Sequence, residues 1–260
     1  MIDLTTDARG VATLTLNRPE KHNALSQAMI DGLTEVSGHI ASDMSIRVVV
    51  LVGAGATFCA GGDLGWMRDQ IANDEAAKRA AAGSLAGMLG ALNDLPQPLI
   101  GRVHGNAFGG GVGLMSICDV VVAVETARFG LTETKLGLIP ATIGPYVTAR
   151  IGAATARDLF TSSRIFDVQE AYRHKLVSRI TTEDALDQAV TETVLPFLDC
   201  APGAVAVAKT FAQSLAPPID DSVIAASIDA LIRQWGSPEA KEGISAFFER
   251  RKPSWAVENP

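Results

Sequence analysis

The stretch HGNAFGGGVGLMSICDVVVA, residues 104–123, places three consecutive glycines and then a fourth ahead of an apolar run. Because glycine has no Cβ, backbone N–H groups here can come close to a ligand. A helix that begins at the glycines adds unpaired N–H donors and the positive end of its dipole. The stretch therefore predicts a loop that can bind an anionic oxygen, a short helix, and a strand over 120–124.

A second glycine loop, FCAGGDL at 58–64, follows the apolar run 47–53 and also leads into a predicted helix. One N–H donor from each loop can converge on a single oxygen, which is the arrangement of an oxyanion hole. Each donor aimed at developing negative charge is worth about 3 to 4 kcal/mol in other enzymes. The alternative interpretation, that the glycines only permit tight packing, stays open on these residues alone.

Neither loop has the pattern of a nucleotide-binding loop. A phosphate-binding P-loop needs Gly-Lys-Ser/Thr after its glycines, and a dinucleotide fold needs G-x-G-x-x-G with an acidic residue on the following strand. Both are missing from the two loops. The sequence therefore disfavours a nucleotide-dependent redox enzyme.

Composition limits the classes of protein further. The 260 residues are 47% hydrophobic, enough for one large domain or one domain with a small appendage. A net charge of −7 argues against nucleic-acid partners and anionic membranes. The N-terminus lacks a signal-peptide pattern, so we expect a cytoplasmic protein. Three widely spaced cysteines without a C-x-x-C pair predict reduced thiols and no metal site.

Periodicity predicts an α/β core over 1–200 and a helical region over 201–260. Alternating or continuous apolar runs indicate strands over 11–16, 47–53, 99–103 and 120–124. Helices are expected over 64–93, over the residues after Ser26, and over 204–215, 223–235 and 237–251. An apolar stripe that ends in Leu231 and Trp235 indicates packing against the core or against another subunit.

Six segments together resemble, in order and spacing, the enoyl-CoA hydratase/isomerase (crotonase) family over essentially the whole chain. They are RPEKHNAL at 18–25, FCAGGDL at 58–64, HGNAFGGGVGL at 104–114, CDVVVA at 118–123, FGLTETKLGLIP at 129–140 and FFERRKP at 247–253. The resemblance implies a spiral of ββα units followed by a helical trimerisation region. It also implies an acyl-CoA substrate, a homotrimer or dimer of trimers, and no cofactor, since coenzyme A is part of the substrate.

The resemblance assigns roles to single residues. It places the two oxyanion-hole donors at Gly62 and Gly110. Residues implicated in binding coenzyme A are Lys21, Ala24, Ala60, Gly61, Leu64 and Arg250, of which Lys21 and Arg250 are candidates for its phosphates. Asp63 is interpreted as structural, Arg68 as an exposed helix charge rather than a partner for a substrate carboxylate, and Phe247 and Phe248 as core residues rather than a cover for coenzyme A.

The sequence departs from the two-acid hydratases at Gly113 and at Pro140-Ala141, where the family typically has Pro-Gly. Glu133 matches the glutamate that acts as acid toward the α-carbon, whereas Gly113 stands where the second glutamate is found. We expect Glu133 to have a pKa raised by desolvation, since it must donate a proton near neutrality.

Three main functions, and a fourth minor group, remain compatible with Gly113. The favoured one is a hydratase in which Glu133 handles both protons and the space at Gly113 admits a branched or carboxylated acyl group. The segments GGGVGL and LIPATIGPY resemble methylglutaconyl-CoA and carboxygeranoyl-CoA hydratases. The alternatives are a Δ3-Δ2 enoyl-CoA isomerase, which needs one glutamate, and a catalytically weak acyl-CoA-binding member. Decarboxylase or lyase variants on the same fold are the remaining option.

Overall fold

A computed structural model describes residues 1–257 of the chain, which contain two sheets. The larger has six strands in the order β1 Ile2–Thr6, β2 Val11–Leu16, β3 Val48–Gly53, β4 Leu99–Val103, β6 Val120–Val124 and β9 Arg179–Thr181. The smaller consists of β5 Ala107–Phe108, β7 Arg128–Gly130 and β8 Ile165–Asp167. In the larger sheet β1 is antiparallel to β2 and every other pair is parallel.

Helices surround these sheets and form the whole C-terminal part. They are α1 Gln27–Ser42, α2 Leu64–Ala72, α3 Glu75–Asn93, α4 Gly110–Ser116, α5 Gly144–Ile151, α6 Ala153–Ser162, α7 Val168–Arg173, α8 Leu186–Leu198, α9 Pro202–Ser214, α10 Asp221–Trp235 and α11 Pro238–Phe248. Two short 3₁₀ turns cover Pro19–Lys21 and Glu133–Leu136.

The parallel strands of the larger sheet were predicted from their apolar runs. Strands β3, β4 and β6 are buried over most of their length, as expected for parallel strands covered on both faces. Ser26 caps α1 by accepting a hydrogen bond from the Met29 N–H at 3.4 Å. The predicted strands 11–16, 99–103 and 120–124 are confirmed residue for residue.

The helical region expected over 64–93 is confirmed in its outer bounds, and it is divided into two helices. The chain breaks at Asn73 and Asp74. The Asp74 carboxylate accepts a hydrogen bond from the Ala77 N–H at 2.8 Å and so begins a new helix. Aspartate is one of the residues preferred at helix N-caps, and the cap at Asp74 separates α3 from α2.

The C-terminal helices pack against the core of the same chain. Leu231 and Trp235 are buried in a second apolar cluster with Leu138. Helix α11 lies so close to the Glu133–Leu136 turn that a Cβ on Gly243 would be 2.3 Å from the Leu136 carbonyl oxygen. The apolar stripe of α10 is therefore covered within this chain. The predicted boundary at residue 200 stays a prediction, and residues 258–260 of the predicted region lie outside the described residues.

Two findings on membranes and metals hold for residues 1–257. No single helix there has the length and hydropathy needed to cross a bilayer; α8 and α9 reach that length only jointly and meet at a bend of 102°. No group of three or more metal-ligating side chains occurs in the same residues.

Candidate active site

The two glycine loops meet at Gly61 and Gly110. Gly61 has a φ of +93°, which favours glycine, and a Cβ there would be 2.8 Å from the Phe108 carbonyl oxygen. The same Cβ would be 3.3 Å from the Gly110 nitrogen. Backbone pairing between Cys59 and Ala107 holds the loops side by side.

The N–H groups of Gly62 and Gly110 are both available to a ligand. The Leu25 N–H donates to the Gly61 carbonyl at 2.7 Å, and the Asp63 N–H donates to the Leu25 carbonyl at 3.0 Å. The Gly62 N–H between them has no backbone partner within residues 1–257. The Gly110 N–H, in the first turn of α4, also lacks one there. The structure thus brings together the two donors predicted for an oxyanion hole.

Glu133 lies against the second of these loops. Its 3₁₀ turn follows β7, and a Cβ added to Gly109 would be 2.8 Å from the Glu133 Oε1. Gly109 itself has a φ of +47°. Only a residue without a side chain allows the carboxylate to come this close to the loop, so the glycine run also makes room for the acid.

The Glu133 carboxyl group is desolvated. Its Oε2 is buried and has no hydrogen-bond partner among the described residues. Burial raises the pKa of Glu133 to about 7. A hydrogen bond from its own backbone N–H lowers the pKa, but by less than burial raises it. The structure agrees with the raised pKa expected from the sequence, and the group can both take up and release a proton near neutrality.

Neighbouring helices anchor the turn that carries Glu133. The single proton of the Thr134 hydroxyl is donated either to the Ser163 hydroxyl or to the Phe160 carbonyl, which lies 3.2 Å from the Thr134 oxygen. The Ser163 hydroxyl donates to the Leu131 carbonyl at 3.1 Å. From the other side, the Gln234 side chain donates to the Gly137 carbonyl at 2.6 Å. Helices α6 and α10 therefore fix the position of the carboxylate.

A small apolar cavity of about 50 Å³ opens beside Glu133, Gly62 and Gly110. The other lining residues are Leu25, Ile30, Trp66, Met67, Leu85, Leu138, Ile139, Pro140, Ala141, Thr142, Ile143, Leu231 and Trp235. Trp66 and Trp235 meet edge to face with ring centroids 5.9 Å apart. No lysine, arginine or histidine is among the lining residues. The cavity is suited to a compact apolar group.

The space expected at Gly113 is not empty. A Cβ added to Gly113 would lie 2.4 Å from the Ile143 Cγ2 and 2.9 Å from its Cβ. Ile143 therefore fills the volume that the missing glutamate leaves, and the expectation that this volume admits the acyl group is wrong. Ile143 belongs to the LIPATIGPY segment, but nothing in the sequence signals that it faces position 113.

Most residues implicated in binding coenzyme A lie along one edge of the site. The Ala60 N–H donates to the His22 carbonyl at 2.9 Å, which places Ala60 and Gly61 beside the 21–24 segment that holds Lys21 and Ala24. Lys21 is exposed, and Leu64 begins α2. Arg250 is exposed after α11, a helix that packs against α2. Their roles in binding coenzyme A remain predictions.

Asp63 has the structural role expected of it. Its carboxylate caps α2 by accepting the Trp66 N–H at 3.1 Å, and it forms an ion pair with Arg18 at 2.7 Å. Burial raises the pKa of Asp63, but these hydrogen bonds and the Arg18 charge outweigh it and leave the pKa below its usual value. Asp63 therefore stabilises the loop without taking part in proton transfer.

The aromatic pair near the C-terminus is not in the core. Phe247 and Phe248 are 50% and 43% exposed, so the core packing expected of them is wrong. The Arg68 guanidinium lies 4.7 Å from the centroid of the Phe248 ring. Arg68 is thus paired with an aromatic face and does not line the cavity.

Known proteins share this sequence and this fold. The family described as enoyl-CoA hydratase/isomerase matches residues 6–258. A putative enoyl-CoA hydratase of Thermus thermophilus is 32% identical over 94% of this chain and 96% of its own length. The crystal structure of an enoyl-CoA hydratase from Mycobacterium smegmatis is 34% identical and has a TM-score of 0.80, covering 98% of this chain and 99% of that one.

AtuE of Pseudomonas aeruginosa is 37% identical, with a TM-score of 0.79 over 98% of this chain and 99% of its own. These likenesses extend over both glycine loops, the Glu133 turn and the C-terminal helices. The crotonase-like α/β fold predicted from the sequence is confirmed. The chain belongs to the enoyl-CoA hydratase/isomerase family.

Proposed function

We propose that the protein adds water to an α,β-unsaturated acyl-CoA thioester. The observation that carries this proposal is the desolvated Glu133 carboxyl beside the free N–H groups of Gly62 and Gly110. These two N–H groups receive the thioester oxygen, on which negative charge develops when the β-carbon is attacked. The names of the relatives support the same type of reaction.

One carboxylate can serve both proton transfers. Ionised Glu133 removes a proton from water while the water oxygen bonds to the β-carbon. The electron pair of the double bond then moves toward the thioester, whose oxygen becomes an enolate held by Gly62 and Gly110. Glu133 returns the proton to the α-carbon, the carbonyl reforms, and one water has been added. A pKa of about 7 suits both steps near neutrality.

The chemistry of the cavity lining supports an apolar acyl group over a carboxylated one. A compact branched acyl group fits the apolar walls around Trp66 and Trp235. A carboxylated group of the methylglutaconyl type would find no cation among the lining residues, and an unpaired buried carboxylate is costly. Of the two classes, the apolar branched group is favoured.

The second candidate is a Δ3-Δ2 enoyl-CoA isomerase. Glu133 is the one carboxylate among the cavity-lining residues, and a single carboxylate can move a proton from one carbon to another. A catalytically weak acyl-CoA-binding protein is the remaining alternative.

The product masses decide among these functions. The purified protein is incubated with crotonyl-CoA, 3-methylcrotonyl-CoA, 3-methylglutaconyl-CoA and a 3-enoyl-CoA, with Glu133→Gln as control. Gain of one water, fastest for the apolar thioesters and lost in the control, supports the hydratase. Migration of the double bond in the 3-enoyl-CoA without a change of mass supports the isomerase. If no thioester reacts, the proposal is overturned in favour of a binding role.

The assembly and location proposed for the enzyme follow from the family and the composition. We expect a homotrimer or dimer of trimers in the cytoplasm, without metal or a separate cofactor. An exposed apolar stripe formed by Val207 and Phe211 on α9 and by its C-cap residue Leu215 supports contact between subunits. Sedimentation of the purified protein measures the assembly directly.

A further inference from the structure

Ile143 stands between position 113 and the cavity. It is 3% exposed, is the N-cap residue of α5, and lines the cavity together with Glu133. Its Cγ2 and Cβ are the atoms closest to a Cβ built on Gly113. A side chain at 113 would therefore extend into the volume that Ile143 now fills.

The backbone at Gly113 does not by itself require glycine. Gly113 lies inside α4 and is not among the glycines with positive φ. The three atoms nearest to its added Cβ, outside α4 itself, all belong to the Ile143 side chain. The Ile143 side chain is therefore the nearest obstacle to a Cβ at residue 113.

We propose that Ile143 is a specificity-determining residue, which limits the cavity to one carboxylate and to compact acyl groups by filling the space next to Gly113. The part of this inference that concerns the acyl group rests on the proposed function. The packing of Ile143 against Gly113 does not depend on it. The two parts are therefore tested by different measurements.

The packing is tested with a double-mutant cycle of Gly113→Glu and Ile143→Gly. Alanine at 143 would keep the Cβ that lies 2.9 Å from the added Cβ, so glycine is the informative change. The matched control is Ile139→Gly, the same substitution at another residue of the cavity wall. No Ile139 atom is among the three nearest to a Cβ built at position 113.

Thermal unfolding gives the first readout. Gly113→Glu should lower the Tm of the otherwise unchanged protein by about 5 to 10 °C because it overpacks the site. In the Ile143→Gly protein the same change should cost less than about 2 °C, whereas in the Ile139→Gly protein it should keep its full cost. An equal loss in all three proteins overturns the proposal.

Binding of unreactive thioesters gives the second readout. Calorimetry with acetyl-CoA and isovaleryl-CoA needs no turnover, so it remains interpretable if the protein proves not to be a hydratase. Ile143→Gly should favour isovaleryl-CoA over acetyl-CoA by about tenfold relative to the unchanged protein. An unchanged ratio removes Ile143 from the determination of acyl size.

Hydration of crotonyl-CoA gives the third readout. Gly113→Glu/Ile143→Gly places a second carboxylate in the volume vacated beside Glu133 and should hydrate about a hundredfold faster than Ile143→Gly alone. No gain over Ile143→Gly would show that the volume at 113 does not open onto the reacting atoms, which overturns the single-carboxylate part of the proposal. Absence of any hydration in the unchanged protein instead counts against the proposed function.

Discussion

The two sides of the cavity are built from different kinds of group. On one side, the loops around Gly61 and Gly109 present backbone atoms, and their positive φ angles and close approaches exclude larger residues. On the other side, Ile143, Leu231 and Trp235 present apolar side chains from segments far apart in the sequence. In the proposed reaction, the first side stabilises the negative charge and the second side limits the size of the acyl group.

This difference separates the groups that the proposed reaction requires from the groups that select the substrate. Backbone donors keep their positions as long as the glycines stay, because the loops are paired with each other and with Leu25. The apolar wall can change by single substitutions without moving the donors. We therefore expect mutations on the glycine side to affect turnover, and mutations on the apolar side to affect the choice of substrate.

The largest effect is expected at the acid between the two sides. Glu133→Gln keeps the shape of the side chain but cannot take a proton from water, so turnover should fall by at least about 10³-fold. The affinity for a saturated acyl-CoA should change less than about threefold. Steady-state kinetics and calorimetry on the same preparation measure both.

If the Gln variant hydrates crotonyl-CoA at the rate of the unchanged protein, Glu133 has no part in the proton transfers. A loss of acyl-CoA affinity as large as the loss of turnover would instead mark Glu133 as a binding residue.

A smaller effect is expected from the glycine next to the acid. Gly109→Ala introduces a Cβ at a φ of +47° and 2.8 Å from the Glu133 Oε1, so it should displace the carboxylate. We expect turnover to fall by about 10²-fold with a moderate loss of Tm.

Gly87→Ala is the matched control, since nothing lies within 4 Å of a Cβ at this exposed helical position. It should stabilise the protein by about 0.5 to 1 kcal/mol and leave turnover unchanged. Equal kinetics in the two alanine variants would contradict the contact between Gly109 and Glu133.

The pH dependence should change the rate by about tenfold for each pH unit below 7. Hydration begins with ionised Glu133, whose pKa is about 7, so kcat should rise with pH and level off above that value. A profile that falls through pH 7 would mean that the protonated form of the acid starts the reaction.

Stability should change with pH in the opposite direction. The folded-state pKa of Glu133 lies above its usual 4.5, so its contribution is full below pH 4.5 and is lost as pH rises through 7. Glu133→Gln lacks this dependence. The Tm of the unchanged protein should therefore fall relative to that of the variant between pH 4.5 and 7.

The sequence predicted the glycine side well because its determinants are local. The glycines at 61, 62 and 109–111 can be read directly from the sequence, and they indicate a backbone that comes close to other atoms. The parallel strands that precede these loops are apolar runs, which also can be read from the sequence. Strands β5, β7 and β8 have three residues or fewer, which is too short for a recognisable alternation of apolar and polar residues. They could therefore not be predicted. Their pairing is decided by tertiary contacts such as that between Ala107 and Phe129.

The apolar side was not predictable in the same way. The sequence shows that Gly113 lacks a side chain, but only the packed structure shows that Ile143 fills the space. Leu231 and Trp235 were visible as part of a helical stripe, yet their place in the cavity wall depends on how α10 docks on α3. Such contacts depend on how distant segments pack together, whereas a periodic sequence pattern indicates only that one face of a helix is apolar.

The smallest effect is expected at the hydrogen bonds that hold the Glu133 turn. Thr134→Val removes the hydroxyl that donates to Ser163 or to the Phe160 carbonyl while keeping the branched shape. Stability should fall by about 1 kcal/mol. We expect kcat to fall about three- to tenfold with KM unchanged, since the carboxylate loses alignment but the cavity does not change. Thr134→Ser keeps a hydroxyl and should recover most of kcat.

Thr161→Val separates this positioning role from a general loss of stability. Thr161 also donates to a helix carbonyl, that of Arg157 at 2.7 Å, but its side chain is exposed and makes no hydrogen bond to the Glu133 turn among the described residues. A comparable fall in kcat for both valine variants would show that Thr134 acts only through stability. A fall confined to Thr134→Val, together with a displaced pH profile, would show that hydrogen bonding outside the cavity adjusts the acid within it.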